Sequence, residues 1–495
     1  MNLLIHLKKQ STIKIIAANG DSLNAKSLLH IVVNNQKTLK DINVQKRDVV
    51  AIVLENGVKF ITSFLSVVSC CTSAPLNPNY SIGEFEFYYA DLKPKAIVTD
   101  LDENHPSIIV AKKKKIKVID LKKNIFINKI STNRKKTKKI ASPKLKDIAL
   151  ILHTSGTTSR PKMVALSHQN LLQSCRNISK SLKLKKTDKN IILMPSFHIH
   201  GIVASILAPL YVGGQIVALP KFNALSFFKS FDYHKPTWFT AVPTMLQGIL
   251  DRAKNNIKII NNQRLNFIRS SSASLPASVL ERLEKTFKVP VIESYGMTEA
   301  SHQMTTNLLP PYKRKIGSVG VPIGIKVKVV DNNFIAMKHN NVGEVVIKGK
   351  NVFQGYLAKI SVNKKAFEKG WFKTGDLGYF DKDNNLFITG RIKEIINRGG
   401  EKISPKEVDD VFTSHPKVDK AIAFSVKHEK LGEDLSIAIV LKKNKKSSSS
   451  ELKEYSRTKL APFKIPRKIY FLETIPVGPT GKIQRIGLAK KIGIE

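Results

Sequence analysis

One stretch narrows what this chain can fold into more than any other: Ile148 to Lys162, IALILHTSGTTSRPK. The apolar run Ile148-Ala149-Leu150-Ile151-Leu152 is short enough for a buried strand. It opens directly into Thr154-Ser155-Gly156-Thr157-Thr158-Ser159, which sustains neither helix nor strand: glycine frees the backbone and the hydroxyls flank it. Arg160, Pro161 and Lys162 close the loop. Such a loop can aim backbone N–H groups and hydroxyls at phosphate oxygens, with Lys162 adding charge, or it can be a solvated Ser/Thr turn. It lacks the GxxxxGK[ST] pattern, so a P-loop ATPase does not follow.

The chain around this stretch is that of a multidomain α/β protein. At 495 residues it exceeds one ordinary core. Val49 to Leu54 and Ala96 to Thr99 read as buried strands, with a helix over Asn56 to Cys71 between them, which predicts a parallel sheet covered by helices. Strand–helix alternation returns over 191–245 and 265–300, and Ser167 reads as a helix N-cap. Residues 316–390 are rich in β-branched residues and Gly/Asn/Asp turns, which predicts a smaller β-rich subdomain. From about Ile392 strands and helices mix again, with a surface loop at Lys445 to Ser450. The expected division is 1–390 and 391–495.

Composition bears on partners and compartment. The formal net charge of +44 raises a nucleic-acid-binding reading. The lysines are spread along the chain without interleaved aromatics, even allowing for the dense run Lys112 to Lys146, and Lys, Ile and Asn all have A/T-rich codons; no nucleic-acid partner is expected. Cys70, Cys71 and Cys175 form neither a metal nor a disulfide framework and suit a reducing compartment, with the cytoplasm as default. The most apolar window, Phe60 to Leu76, is broken by Ser and Thr, so no transmembrane segment is expected. Oligomeric state is not legible.

Further motifs follow the central loop in order: PSFHIHG (195–201), RSSSASLP (269–276), SYGMTEA (294–300), GEVVIKG (343–349), GWFKTGD (370–376), GRIKEIINRGGEKISP (390–405) and PTGKIQR (479–485). With HTSGTTSRPK this series resembles the adenylate-forming enzymes, the acyl-CoA synthetase superfamily. SRPK, FHIHG, TWFTAVPT, FIRSSSASL, MTEASH and INRGGEKISP resemble its oxalate–CoA ligase-like branch. Met163 departs from the pattern, standing where the family usually has glycine after the lysine. The resemblance implies a large N-terminal adenylation domain of α/β sheet subdomains with a β-rich subdomain, and a small mobile α+β C-terminal domain.

It also implies chemistry. A carboxylate is a poor electrophile; its oxygen attacks the α-phosphorus of ATP, pyrophosphate leaves, and the thiol of CoA displaces AMP from the acyl-adenylate. On this resemblance Thr154, Ser155, Gly156, Thr157, Thr158 and Lys162 hold the phosphates, Thr298 contacts the α-phosphate and Glu299 binds Mg2+. Tyr295 offers a face to adenine beside Glu293 and Ser294. Asp376, expected in a turn, and Arg391 take the ribose hydroxyls. Lys482 bridges the substrate carboxylate and ATP. Lys393 is the hinge, and Gly399 and Gly400 leave room for the arm of CoA.

The acyl pocket is expected from His198, His200, Ser272 and His302, with the two histidines of FHIHG two apart on one face of a strand. His198 is also counted among the catalytic residues with Lys482, Thr298 and Glu299. Polar residues there suit a second carboxylate, as in oxalate or another very short diacid. The alternatives are a medium- or long-chain fatty acid or 4-coumarate-type acid, and, from other classes, a basic nucleic-acid-binding protein or a non-catalytic relative.

Overall fold

The computed structural model describes residues 3–122, 142–154, 161–476 and 485–495, and its described residues form four sheets. Two large sheets lie face to face around shared helices. In the nine-stranded sheet, Val291–Met297, Phe267–Ser271, Trp238–Ala241, Lys189–Ile192, Gln215–Ala218 and Lys14–Ala17 are neighbours in that order and all parallel. Antiparallel strands close both edges, among them His302–Thr306 beside Val291–Met297. In the six-stranded sheet, Lys117–Asp120, Ala96–Thr99, Val49–Val53, Thr72–Pro75 and Ile148–Thr154 run parallel, and Lys162–Ser167 turns back antiparallel.

Parallel strands buried on both faces need apolar residues at nearly every position, and VVAIV and AIVT supply them. The helix Val58–Val68 buries every residue from Phe60 to Val68, because it lies between the two sheets. Phe60, Phe64 and Leu65 share one core with Ile15 and Ile216 of the larger sheet and with Ile52 and Leu150 of the smaller. Burial from both sides explains why apolar residues lie all around this helix, and the hydroxyls of Thr62 and Ser66 are buried by bonding carbonyls of the helix itself. No helix among the described residues is long and apolar enough to cross a membrane. The helix His168–Ser181 starts at Ser167, whose side chain accepts from Asn170 N–H while Asn170 returns a bond to the cap.

The β-rich unit is a five-stranded antiparallel sheet built on Lys326–Val330, Gly343–Lys348 and Trp371–Phe380, with Leu386–Arg391 as the last strand. After a 3-10 turn at Ile392–Glu394 comes a fourth sheet: Ile396–Arg398, Glu401–Ile403, Val418–His428, Gly432–Leu441 and Lys468–Phe471, backed by the helix Pro405–Thr413 and a core of its own. The architecture is therefore α/β, with a large N-terminal part and a smaller C-terminal domain. One local expectation changes. The run Lys445 to Ser450 is not all loop, because Ser448 caps a helix that begins at Ser449.

Candidate active site

Several of the candidate side chains gather where strands of the nine-stranded sheet end. Val291–Met297 carries Glu293, Ser294 and Tyr295, then gives way to the 3-10 turn Thr298–Ala300. A bulge between Tyr295 and Gly296 brings this turn against His302–Thr306. Only glycine fits at 296, since a Cβ would lie 1.8 Å from the carbonyl oxygen of His302.

A first cluster forms around Asp376. It lies within the strand Trp371–Phe380 rather than in a turn, directly across from Arg391 on Leu386–Arg391. Arg391 Nε meets Oδ1 at 2.9 Å, and the Tyr295 hydroxyl donates to Oδ2. Burial, followed by the charge of Asp376, pushes the Tyr295 hydroxyl well above its usual range, so it stays a donor. Asp376 raises Arg391 in turn. Ribose-like diols would find here a carboxylate whose orientation is fixed from both sides.

A second cluster joins the central loop to the turn at Thr298. Lys162 Nζ stands 4.7 Å from the centre of the Tyr356 ring, and the Tyr356 hydroxyl donates to Glu299 Oε1 at 2.8 Å. Glu299 is buried, and burial raises its carboxyl above the usual range. A buried carboxylate of that kind is suited to a cation. Among the described residues no cluster of three or more His, Cys, Asp or Glu is arranged to hold a metal. Glu299 by itself could supply one carboxylate ligand to a cation, not a complete protein cage. Thr154 ends its strand with its hydroxyl 3.4 Å from the carbonyl of Lys162, while Ser155, Gly156, Thr157 and Thr158 lie outside the described residues. Glu293 is buried beneath, accepts Leu275 N–H at 2.9 Å, and has its carboxyl raised by burial to about 7. Ser294, on the opposite face of the strand, bonds Thr306 at 2.8 Å.

The third cluster corrects the reading of FHIHG. His198 and His200 do not share a strand. His198 sits in a turn, where its Nδ1 accepts the backbone N–H of His200 at 3.2 Å, and His200 begins the π-helical stretch His200–Leu207. In that wider helix Ala208 N–H reaches back to Val203 O, and His200 at its start is fully buried. His200 stacks on His302 with ring centres 4.7 Å apart and 21° between planes. Its Nδ1 lies 3.0 Å from Ser272 Oγ and its Nε2 2.6 Å from Thr240 Oγ1. Ser272 and His302 both hold left-handed backbone, φ 75° and 95°, which turns them out of the regular strand directions. Beneath the two rings lies Arg269, fully buried, with Nη1 3.1 Å from His302 Nε2 and 3.2 Å from Thr240 Oγ1, and Nη2 3.2 Å from Gln303 Oε1. Burial lowers its guanidinium to about 9.

Arg269, Thr240 and Tyr356 were missed as site residues by the sequence reading. Arg269 had a signal: a charge inside FIRSS, a strand whose other positions suit burial. Tyr356 had none, because its 57-residue separation from Glu299 hides the contact.

In the C-terminal domain, Lys393 is exposed in the 3-10 turn between Arg391 and Ile396. Gly399 and Gly400, φ 59° and 97°, form the two-residue turn between Ile396–Arg398 and Glu401–Ile403, a turn that requires left-handed backbone at both positions. Lys482 lies outside the described residues. Arg485, just beyond, is clamped by Asp409 through bonds of 2.6 and 3.3 Å and meets Glu394 at 3.2 Å.

Comparison with known proteins bears on all of this. The profile of AMP-binding enzymes matches residues 11–357, and that of the AMP-binding enzyme C-terminal domain matches 407–482. The chain belongs to the AMP-binding enzyme family. It is an enzyme of the AMP-forming acyl-CoA synthetase class, on the oxalate–CoA ligase-like branch. It is 41% identical over 461 residues to an oxalate–CoA ligase of Arabidopsis thaliana, covering 91% of this chain and 89% of the relative. An oxalate–CoA ligase of Saccharomyces cerevisiae is 39% identical over 512 residues, covering 96% and 94%. Among solved structures, ATP-bound MatB of Rhodopseudomonas palustris superposes with a TM-score of 0.91 at 25% identity, covering 100% of this chain and 99% of that one. The o-succinylbenzoate CoA synthetase of Bacillus subtilis, solved with ATP and magnesium ion, gives 0.85 at 26%, covering 98% and 99%.

Proposed function

We propose that this protein joins oxalate, or another very short dicarboxylic acid, to CoA in two steps through an acyl-adenylate, with ATP as Mg2+ complex. The observation that carries the choice of acid is the His200–His302 stack, bordered by Ser272 and Thr240 and underlain by Arg269. An alkyl chain buried against these groups would displace water from their remaining polar atoms without replacing its hydrogen bonds, at about 1–3 kcal/mol for each group left unsatisfied. A carboxylate one bond from the reacting carboxyl would satisfy them instead. The oxalate–CoA ligases among the relatives support the same reading.

The remaining residues divide the work. Thr154, the loop Ser155, Gly156, Thr157 and Thr158, and Lys162 grip the phosphates. Thr298 meets the α-phosphate. Glu299 holds Mg2+, which offsets phosphate charge when bound. Tyr295 faces adenine with Glu293 and Ser294 at its strand, and Asp376 with Arg391 takes the ribose. Lys482 draws the reacting carboxylate to the α-phosphorus, and Arg485, which follows it in the sequence, is tied to Asp409. His198, by capping the His200 backbone, lines the entry to the acyl side. Residues 391–495 then rotate about Lys393, withdraw Lys482 and present Gly399 and Gly400 to the pantetheine arm. Three buried free thiols, Cys70, Cys71 and Cys175, suit the cytoplasm.

The test is kcat/KM for oxalate, malonate, acetate, octanoate and 4-coumarate in one buffer, with pyrophosphate release read with and without CoA. Oxalate should lead. Octanoate or coumarate ahead of oxalate by about tenfold would end the choice of acid and leave the ligase class standing.

A further inference from the structure

Arg269 is a buried cation without a counter-charge: among the described residues it bonds only neutral groups, and its Nε has no partner. Removing a guanidinium from water costs several kcal/mol, which a carboxylate ordinarily offsets. Among the described residues no carboxylate does so; Nη1 turns to His200, His302 and Thr240, and Nη2 to Gln303.

The direction of those bonds carries information. An Arg N–H can only donate, so the N–H aimed at His302 Nε2 needs a lone pair there, and the ring proton of His302 sits on Nδ1. Thr240 Oγ1 likewise accepts from Arg269, so its own proton turns to His200 Nε2, 2.6 Å away. His200 then carries its proton on Nδ1 and donates to Ser272 Oγ at 3.0 Å. Arg269, Thr240, His200 and Ser272 form a chain in which every donor points away from the guanidinium. Each bond in such a chain polarises the next.

We propose that Arg269 is the positioning residue that makes this ligase select an acid with a second carboxylate: it fixes His200 and His302 as neutral Nδ1–H donors and projects its charge through them onto that carboxylate. The assignment rests on the dicarboxylate reading above. It adds that the positive charge comes from Arg269, so the histidines need not be protonated. The substrate dianion is then the missing counter-charge, which acetate, lacking a second carboxylate, cannot supply.

The experiment measures kcat and KM for oxalate and for acetate, at saturating ATP and CoA, in the wild type, Arg269→Gln, Arg269→Lys and Thr240→Val, each with its melting temperature. Arg269→Gln should lower kcat/KM for oxalate about 100-fold, mostly through KM, and that for acetate less than about fivefold. Arg269→Lys, keeping the charge but not the fork, should restore about tenfold. Thr240→Val, nearly isosteric, should cut the oxalate-to-acetate ratio about tenfold. Should Arg269→Gln fail to fold, the other two variants decide, and a wild-type ratio in both overturns the proposal. A wild-type enzyme with no preference for dicarboxylates overturns this role and the choice of acid together. A preference that survives in the variants overturns the role of Arg269 alone.

Discussion

Met163, the one residue that departs from the family pattern, is accommodated by its strand. It pairs with His153, its carbonyl accepts Leu357 N–H at 3.0 Å, and its φ is not positive. Glycine is therefore not required there by the backbone. Met163→Gly should leave ATP–pyrophosphate exchange within about threefold of wild type and cost about 1 kcal/mol of stability, read by melting. A gain in exchange of orders of magnitude would instead mark the native loop as impaired. Glu293 carries the clearest pH signature. Its carboxyl is raised to about 7 in the folded chain, so the folded state keeps a proton that the unfolded chain releases near pH 4.3. Stability from this group is greatest below that pH, falls as pH rises toward 7, and is level above it. Glu293→Gln removes the titration while keeping an acceptor for Leu275 N–H. Its stability relative to wild type should rise between pH 5 and 8 by up to about 3 kcal/mol, and a flat difference across that range would count against a raised carboxyl. These two residues were visible in the sequence beside motifs, Met163 after HTSGTTSRPK and Glu293 before SYGMTEA. Arg269 was quoted with its motif yet passed over, because nothing in one dimension says that a basic residue sits under two histidines rather than in water.

Elements were legible wherever a period or a cap marked them. The strands VVAIV and AIVT and the helix capped by Ser167 fall close to where their patterns put them. The misreadings came where tertiary contact overrides local pattern. FHIHG resembles alternation but is a turn leading into a π-helical stretch, and Asp376 looks like a turn residue but is held in a strand by Arg391 across from it. The hairpin at Gly399 and Gly400 supplies the test at this scale. A Cβ on Gly400 meets nothing within 4 Å, so there is room for a side chain and only the left-handed backbone objects. Gly400→Phe should cost about 1 kcal/mol in stability, spare pyrophosphate exchange, and block thioester formation from supplied oxalyl-adenylate plus CoA. Equal loss of both half-reactions would remove the thiol-channel role.

At the scale of the whole molecule, four residues, Ile392 to Ile395, connect the large N-terminal part, through the last strand of the β-rich sheet, to the first strand of the C-terminal sheet. Lys482→Ala separates their contributions: adenylation should fall by about 100-fold or more, while supplied acyl-adenylate is still converted, and near-normal exchange in that variant would withdraw the lysine's role. The grip on Asp376 has a further consequence, for the order of events in time. Arg391 is the last residue before the connecting turn, so a rotation about Lys393, as proposed, would leave Asp376 and Arg391 close to the pivot and move the far loops of residues 391–495 the most. On that proposal the nucleotide boards first, as ATP, and leaves last, as AMP. Rapid mixing should show a burst of oxalyl-CoA equal to one turnover before AMP appears in solution, and simultaneous appearance of the two would mean that the turnstile opens from the other end.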